Sequence, residues 1–374
     1  MHEHPRRPRV PSDIPLSNPA VAPSDIQAIT GTLRSTPPTG SDCRAELEDA
    51  IAASTGCGYA VAVASSEQAL STLLAAMGLG SGHEIVLPSL GDAACLRATK
   101  RIGATPRFAE CDPGTLIPTA STIEAVATSA TGAILAGHSD GWGTGLPDIA
   151  TACGRLEIPL IELVSTRLGS RCAAAPAGSI GRAAIVDLSE RSLISGGEGA
   201  AIVTNDAHLA EACRGDAFIT SGNPHRADPM PEFAAALALA QLNRLAKIID
   251  ACTAVAERYT VCLSSMPELL LPAMTPEVKS SWSRYVIRLD ETFGAEDRDE
   301  IIRGMQRHDI QAEIGLAHLP TLWNASSEID CPIAASIASR TIALPIHADL
   351  THRDIDLICQ TLQLMVQRAT FRRG

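Results

Sequence analysis

The sequence predicts an α/β protein: a three-layer α/β/α region around a mostly parallel sheet, followed by a smaller α+β region. Three observations carry this. A chain of 374 residues that is 45% hydrophobic exceeds what one core usually encloses, so two domains are expected. Seven short apolar runs rich in Val, Ile and Ala recur between residues 58 and 205, without polar alternation, as strands buried on both faces do. Amphipathic stretches separate most of these runs, which places helices on both faces of the sheet.

The predicted strands, in order, are residues 59–64, 84–88, 106–110, 132–137, 158–162, 182–188 and 199–204. Helical patterns occupy 68–77, 93–102, 146–156 and 207–214. In such a sheet the functional residues gather at the carboxyl ends of the strands. The second region opens with a long helix from 232 to about 263, then a strand at 283–289, a helix at 295–306, a strand at 341–345 and a terminal helix over 353–368. Proline-rich stretches at 113–118 and 224–231 are loops. The expected division is a mobile basic arm at 1–14, a large domain at 15–245 and a small C-terminal domain at 246–374.

Composition narrows the function. A formal net charge of −12, with no dense Lys/Arg patch, argues against a nucleic-acid or anionic-membrane partner. No apolar run approaches the roughly 20 residues that span a bilayer, and no apolar stretch backs the N-terminus as in a secretory signal. A cytoplasmic protein is expected. The eleven cysteines are scattered without CxxC pairs, so they read as buried thiols rather than a zinc site or disulfide framework. Lysine is scarce: Lys100, Lys247 and Lys279 are the three in the chain.

Several segments, in order, resemble the DegT/DnrJ/EryC1/StrS sugar aminotransferases, a branch of the fold-type-I pyridoxal-phosphate (PLP) enzymes. Residues 75–80 with Gly82, Glu84 and Pro88 resemble "GxGxGDEVIVP"; Gly103-Ala104, Pro106 and Asp112 resemble "GAxPVFxD". His138, Gly141 and Asp148 resemble "VHxxG…D"; Gly197-Glu198-Gly199 with Thr204-Asn205-Asp206 resembles "GEGGxxxTND"; residues 344–347 resemble "LPLH". The likeness runs from about residue 15 to 364. It implies a fold-type-I, PLP-transferase-like large domain, a homodimer, PLP bound as an aldimine to lysine, and amino transfer from glutamate or glutamine to a keto-sugar.

The same alignment of motifs shows departures. Ser192 stands at the lysine position, and a hydroxyl forms no imine. Leu163 replaces the carboxylate that faces the pyridine nitrogen, beside a retained Glu162. The phosphate-binding "SGT" reads Ser65-Ser66-Glu67, a second phosphate hydroxyl falls on Asp187, and the ring-stacking aromatic falls on Asp92. The partner-subunit "NYRM" becomes residues 227–230. Glu67 and Asp187 would each repel a phosphate by about 4 kcal/mol per unit charge at roughly 4 Å and an effective dielectric near 20. These departures imply a chain without cofactor, in which PLP does not bind as an internal aldimine.

The expected site is therefore an acidic cleft of Glu67, Asp92, Glu162 and Asp187 with His138 and Ser192 beside it. Neighbouring carboxylates raise one another's pKa and can divide into general acid and base, and a histidine among them can carry protons. Each residue also has a structural reading. Glu67 can complement a helix dipole, Asp92 can cap a helix, and Asp187 can pair with Arg182 or Arg191. His138 and Glu162 can persist for packing, and Ser192 can be a neutral filler. The first functional reading is a PLP-independent enzyme of sugar or specialised-metabolite biosynthesis acting on a small polar metabolite. The alternative is a catalytically silent homologue that regulates an active paralogue through a heterodimer.

Overall fold

The computed structural model describes residues 13–18, 21–35, 42–138, 145–165, 167–172, 175–214, 228–272, 278–323 and 331–373. A seven-stranded sheet has the spatial order Tyr59–Val63, Ala200–Thr204, Ala183–Asp187, Leu160–Ser165, Thr131–Gly137, Glu84–Pro88, Thr105–Ala109. From Ala183–Asp187 to Thr105–Ala109 every pairing is parallel. Tyr59–Val63 and Ala200–Thr204 complete the sheet through antiparallel pairings. Each of the seven strands falls within about three residues of its predicted place.

Alternate residues of one strand serve opposite faces, which explains the unbroken apolar runs. Ala184, Val186, Ala201 and Val203 join a core with Leu47 and Ile51 of the Cys43–Thr55 helix and residues of the Glu232–Leu242 helix. Ala183, Ile185, Ala200 and Ile202 join the opposite core with Leu70, Leu73 and Leu74 of the Ser66–Ala76 helix.

The predicted long helix is two helices, Glu232–Leu242 and Leu245–Leu263. The break has a physical cause. Asn243 is a weak helix former, and the guanidinium of Arg244 donates to the fully buried Asp25, 2.6 Å away. Asp25 lies in the first turn of the Pro23–Arg34 helix, an element not foreseen. A second, antiparallel sheet orders Leu269–Leu270, Tyr285–Leu289, Thr341–Leu344 and Glu313–Ile314. Residues 1–12 of the expected arm, Gly141 and Ala227 lie outside the described residues. Ile14 is buried and its amide bonds to the Asp309 carbonyl at 2.8 Å. The eleven cysteines are free thiols. Among the described residues no helix is long and apolar enough to cross a membrane.

Candidate functional site

Pro88, Gly137, Ser165 and Asp187 end four of the parallel strands, and all four line one cavity, at the place where an open α/β sheet holds its ligand. Asp187 is its best-connected carboxylate. It accepts hydrogen bonds from the hydroxyls of Ser66 at 2.6 Å, Ser189 at 2.7 Å and Ser192 at 3.2 Å, and from the Ser189 amide at 3.3 Å. Ser66 opens the Ser66–Ala76 helix, whose amino-terminal dipole end favours an anion nearby. The arginines that could have made Asp187 a structural ion pair are engaged elsewhere: Arg182 with Asp206 and Arg191 with Glu313.

Ser192 is buried behind Asp187. Its hydroxyl donates to the Asp187 carbonyl at 2.9 Å as well as to the carboxylate. His138 follows the Thr131–Gly137 strand, lines the cavity, and shares a 2.6 Å hydrogen bond with Glu162. Glu162 is fully buried beneath it and accepts the amides of Gly178 at 2.6 Å, Ile180 at 3.0 Å and Gly181 at 3.4 Å. Burial alone would raise the Glu162 pKa. The hydrogen bond and charge of His138 and the Gly178 and Ile180 amides outweigh it, and the pKa is lowered. The expectation that cleft carboxylates raise one another is thus corrected for Glu162, which serves as an anionic anchor for His138. Asp92 lines the cavity while accepting the Ala94 amide at 2.7 Å, in the manner of a helix cap.

The expected acidic cleft is corrected in two further respects. Glu67 is absent from the cavity lining. It is paired with Arg97 at 2.6 Å and Arg101 at 4.0 Å, both on the Ala94–Arg101 helix. Three arginines, Arg167, Arg191 and Arg284, line the same cavity as the two aspartates, Asp92 and Asp187, so formal cations outnumber carboxylates. Burial and the neighbouring Arg284 pull the Arg167 guanidinium down to about 9, still charged at neutrality. Burial also lowers Arg284, with Arg191 adding to the effect. An anion between these groups would relieve that repulsion.

Sequence reasoning missed Ser66, Ser189, Arg167 and Arg284 as site residues. The strand-end rule points to Arg167, two residues beyond Ser165. Arg284 comes from the C-terminal half and carries no local signal. Backbone strain marks the same region: Ser165 and Trp282, both non-glycine, have φ of 47° and 32°, conformations that persist where surrounding structure enforces them. Glu198, exposed in the glycine motif, has its pKa raised by partial desolvation and by Asp187 and Glu190.

Residues 19–363 match the model of the DegT/DnrJ/EryC1/StrS aminotransferase family. The chain belongs to this family. Its fold is similar to that of the aminotransferase TlmJ from Streptoalloteichus hindustanus (TM-score 0.86, 24% identity, covering 96% of this chain and 100% of that one). It is similar to a putative sugar aminotransferase from Streptococcus pneumoniae in its PLP-form (TM-score 0.87, 20% identity, 96% and 99% covered), a protein also solved in a PMP-form. DesI, solved in the presence of its TDP-sugar product, gives a TM-score of 0.87 at 23% identity, with 97% and 96% covered.

The expectation of a chain without cofactor is overturned by these findings: the family is one of aminotransferases, and similar structures exist in PLP-form and PMP-form. The repulsion argument behind it fails for Glu67, which Arg97 and Arg101 compensate, and for Asp187 it is opposed by Arg167, Arg191 and Arg284, which line the same cavity. The residues of this DegT-family chain fit a vitamin-B6 phosphate held by non-covalent contacts. Arg167 and the start of the Ser66–Ala76 helix would receive the phosphate. Ser192 provides no amine, whereas the pyridoxamine form brings its own. When bound, such a group supplies an electron sink for carbanionic chemistry.

Proposed function

We propose that this chain acts on a sugar metabolite carrying an anionic group, and that Asp187 is the carboxylate that moves a proton at the sugar. Asp187 carries the reading. It is a cavity-facing carboxylate at a strand end, held by three hydroxyls and, among the described residues, by no arginine. The serine donors orient the carboxylate and keep it ionised, and their rotatable hydroxyls can reorganise when it takes up a proton. His138, anchored by Glu162, is the second proton-handling group, and Asp92 completes the wall. Dehydration, isomerisation and cyclisation are the reaction types such groups serve.

Arg191 and Arg284 give the cavity its affinity for an anionic sugar. A nucleotide-linked sugar of the kind named for DesI is the natural probe. Calorimetric titration with a TDP-sugar should show binding to the wild-type protein and a loss of at least about tenfold in Arg284→Met, equivalent to one charge-assisted contact. Equal affinity in both proteins, or no binding to either, would remove the proposed substrate class.

We also infer a cytoplasmic homodimer with a 15–245 and 246–374 domain division. Ile26 and Leu33 of the Pro23–Arg34 helix and Phe233 of the neighbouring Glu232–Leu242 helix are exposed, as befits surfaces that meet another chain. The same surface would serve a silent regulator paired with an active paralogue. Sedimentation of the pure chain separates the readings: a self-dimer supports the first, a monomer that dimerises only with a paralogue supports the second.

A further inference from the structure

A second, much smaller pocket shares Arg191 with the main cavity. Ser17, Asn18, Arg191, Ser192 and His347 line it, where the segment before residue 18 threads between the 189–192 turn and the end of the second sheet. Its space is enough for a single water molecule, given the room one needs.

His347 is the unusual member. It is 7% exposed, and neither ring nitrogen has a hydrogen-bond partner among the described residues. The Pro15 backbone lies near enough to favour the charged ring but without hydrogen-bond geometry. A neutral imidazole must satisfy one N–H and one lone pair, and leaving both unmet costs roughly 1–3 kcal/mol per group. The other polar side chains of the pocket already have partners: Asn18 donates to Asp349 at 2.9 Å, Arg191 to Glu313 at 2.6 Å and the Ser17 hydroxyl to the Glu190 carbonyl at 3.4 Å, and Ser283 is engaged as well. Ser192 is different. Its one proton is given to Asp187, and its oxygen lone pairs remain able to accept.

The geometry points to a water molecule in this pocket that joins His347 to the Ser192 hydroxyl, and to His347 as a positioning residue for Asp187. The water accepts from or donates to the imidazole and donates to the Ser192 oxygen. A hydroxyl that accepts such a bond is polarised and donates more strongly, so it stabilises the Asp187 anion and fixes the direction from which it is held. His347 does not touch substrate. It acts on the carboxylate through three hydrogen bonds: His347 to water, water to Ser192, and Ser192 to Asp187. The catalytic meaning of the relay rests on the role given to Asp187 above. The relay itself does not.

The test therefore reads Asp187 rather than turnover. Protein carrying carbon-13 in its aspartate carboxyls is titrated by NMR, with the Asp187 signal identified by its loss in Asp187→Asn. The Asp187 midpoint should rise by about half a pH unit or more in Ser192→Ala, and in the same direction in His347→Leu, half a unit being worth about 0.7 kcal/mol by the usual conversion. His347→Gln, which can still bond the water, should return the midpoint towards wild type. An unchanged midpoint in a folded His347→Leu, or failure of His347→Gln to differ from it, would overturn the relay. Should His347→Leu not fold, a crystal structure of the wild-type protein decides. A water within hydrogen-bond distance of both His347 and Ser192 supports the relay, and its absence with both side chains ordered refutes it.

Discussion

Replacing Glu162 by glutamine keeps the shape of the buried side chain and exchanges one acceptor oxygen for an NH2 group. Oε1 faces His138 at 2.6 Å and accepts the Gly178 amide at 2.6 Å, while Oε2 accepts the Ile180 amide at 3.0 Å and the Gly181 amide at 3.4 Å. Whichever way the new amide turns, its NH2 meets backbone N–H donors. The milder orientation puts it at Oε2, stranding the Ile180 amide and the longer Gly181 bond. A buried donor left without its acceptor costs roughly 1–3 kcal/mol, so one full and one weak loss give about 2–4 kcal/mol. That is a sizeable part of the 5–15 kcal/mol typical of a folded domain. Urea unfolding of the two proteins at neutral pH, followed by circular dichroism, measures the difference. A loss below about 0.5 kcal/mol, the range of inert substitutions, would refute the assignment of Glu162 as the anchor of the 178–181 turn. The pH dependence gives a second check. The Glu162 pKa is lowered, so its stabilisation is present above the unfolded carboxyl value of about 4.3 and is lost as pH falls through the lower folded value. The gap between wild type and Glu162→Gln should narrow in acid.

Glu67→Gln should change stability by less than about 1 kcal/mol, as for other exposed pairs, and leave TDP-sugar affinity in calorimetry unaltered, because its partners are Arg97 and Arg101. His347 is lowered by burial, against the opposing influence of Asp349 and Asp354; wild-type stability should therefore fall as pH drops below about 6.5, a slope that thermal melts of His347→Gln should lack. Gly181→Ala should cost about 3 kcal/mol or more in urea unfolding, at or above the upper end of overpacking penalties, because a Cβ there would meet the backbone oxygens of Leu160 and Ala183 at 2.8 and 2.9 Å.

The central sheet was legible because its strands are buried on both faces. Val186 and Val203 fill one core and Ile185 and Ile202 the other, leaving runs without polar interruption. The break at Asn243 was not legible, since the residue that pins Arg244 is Asp25, 219 positions away. The site divides in the same way. Asp187, His138 and Asp92 sit at or just beyond strand ends, where the fold class places function, and could be named from the sequence. Their electrostatic setting could not. Glu67 is neutralised from the next helix, and Arg284 reaches the cavity from the C-terminal half. Counting carboxylates in a motif gives a local charge, whereas the field in a cleft is the sum over elements that only the folded chain brings together.

Solvent exchange tests the central claim, that Asp187 moves a proton at a sugar, most directly. A TDP-sugar incubated in D2O with the protein, supplied with pyridoxamine phosphate, is followed by mass spectrometry for deuterium in the sugar. The account predicts uptake with wild-type protein and a loss of at least about a hundredfold in Asp187→Asn, the usual contribution of a positioned base. Equal uptake by Asp187→Asn and wild type, or none by either while the sugar is bound, would contradict it.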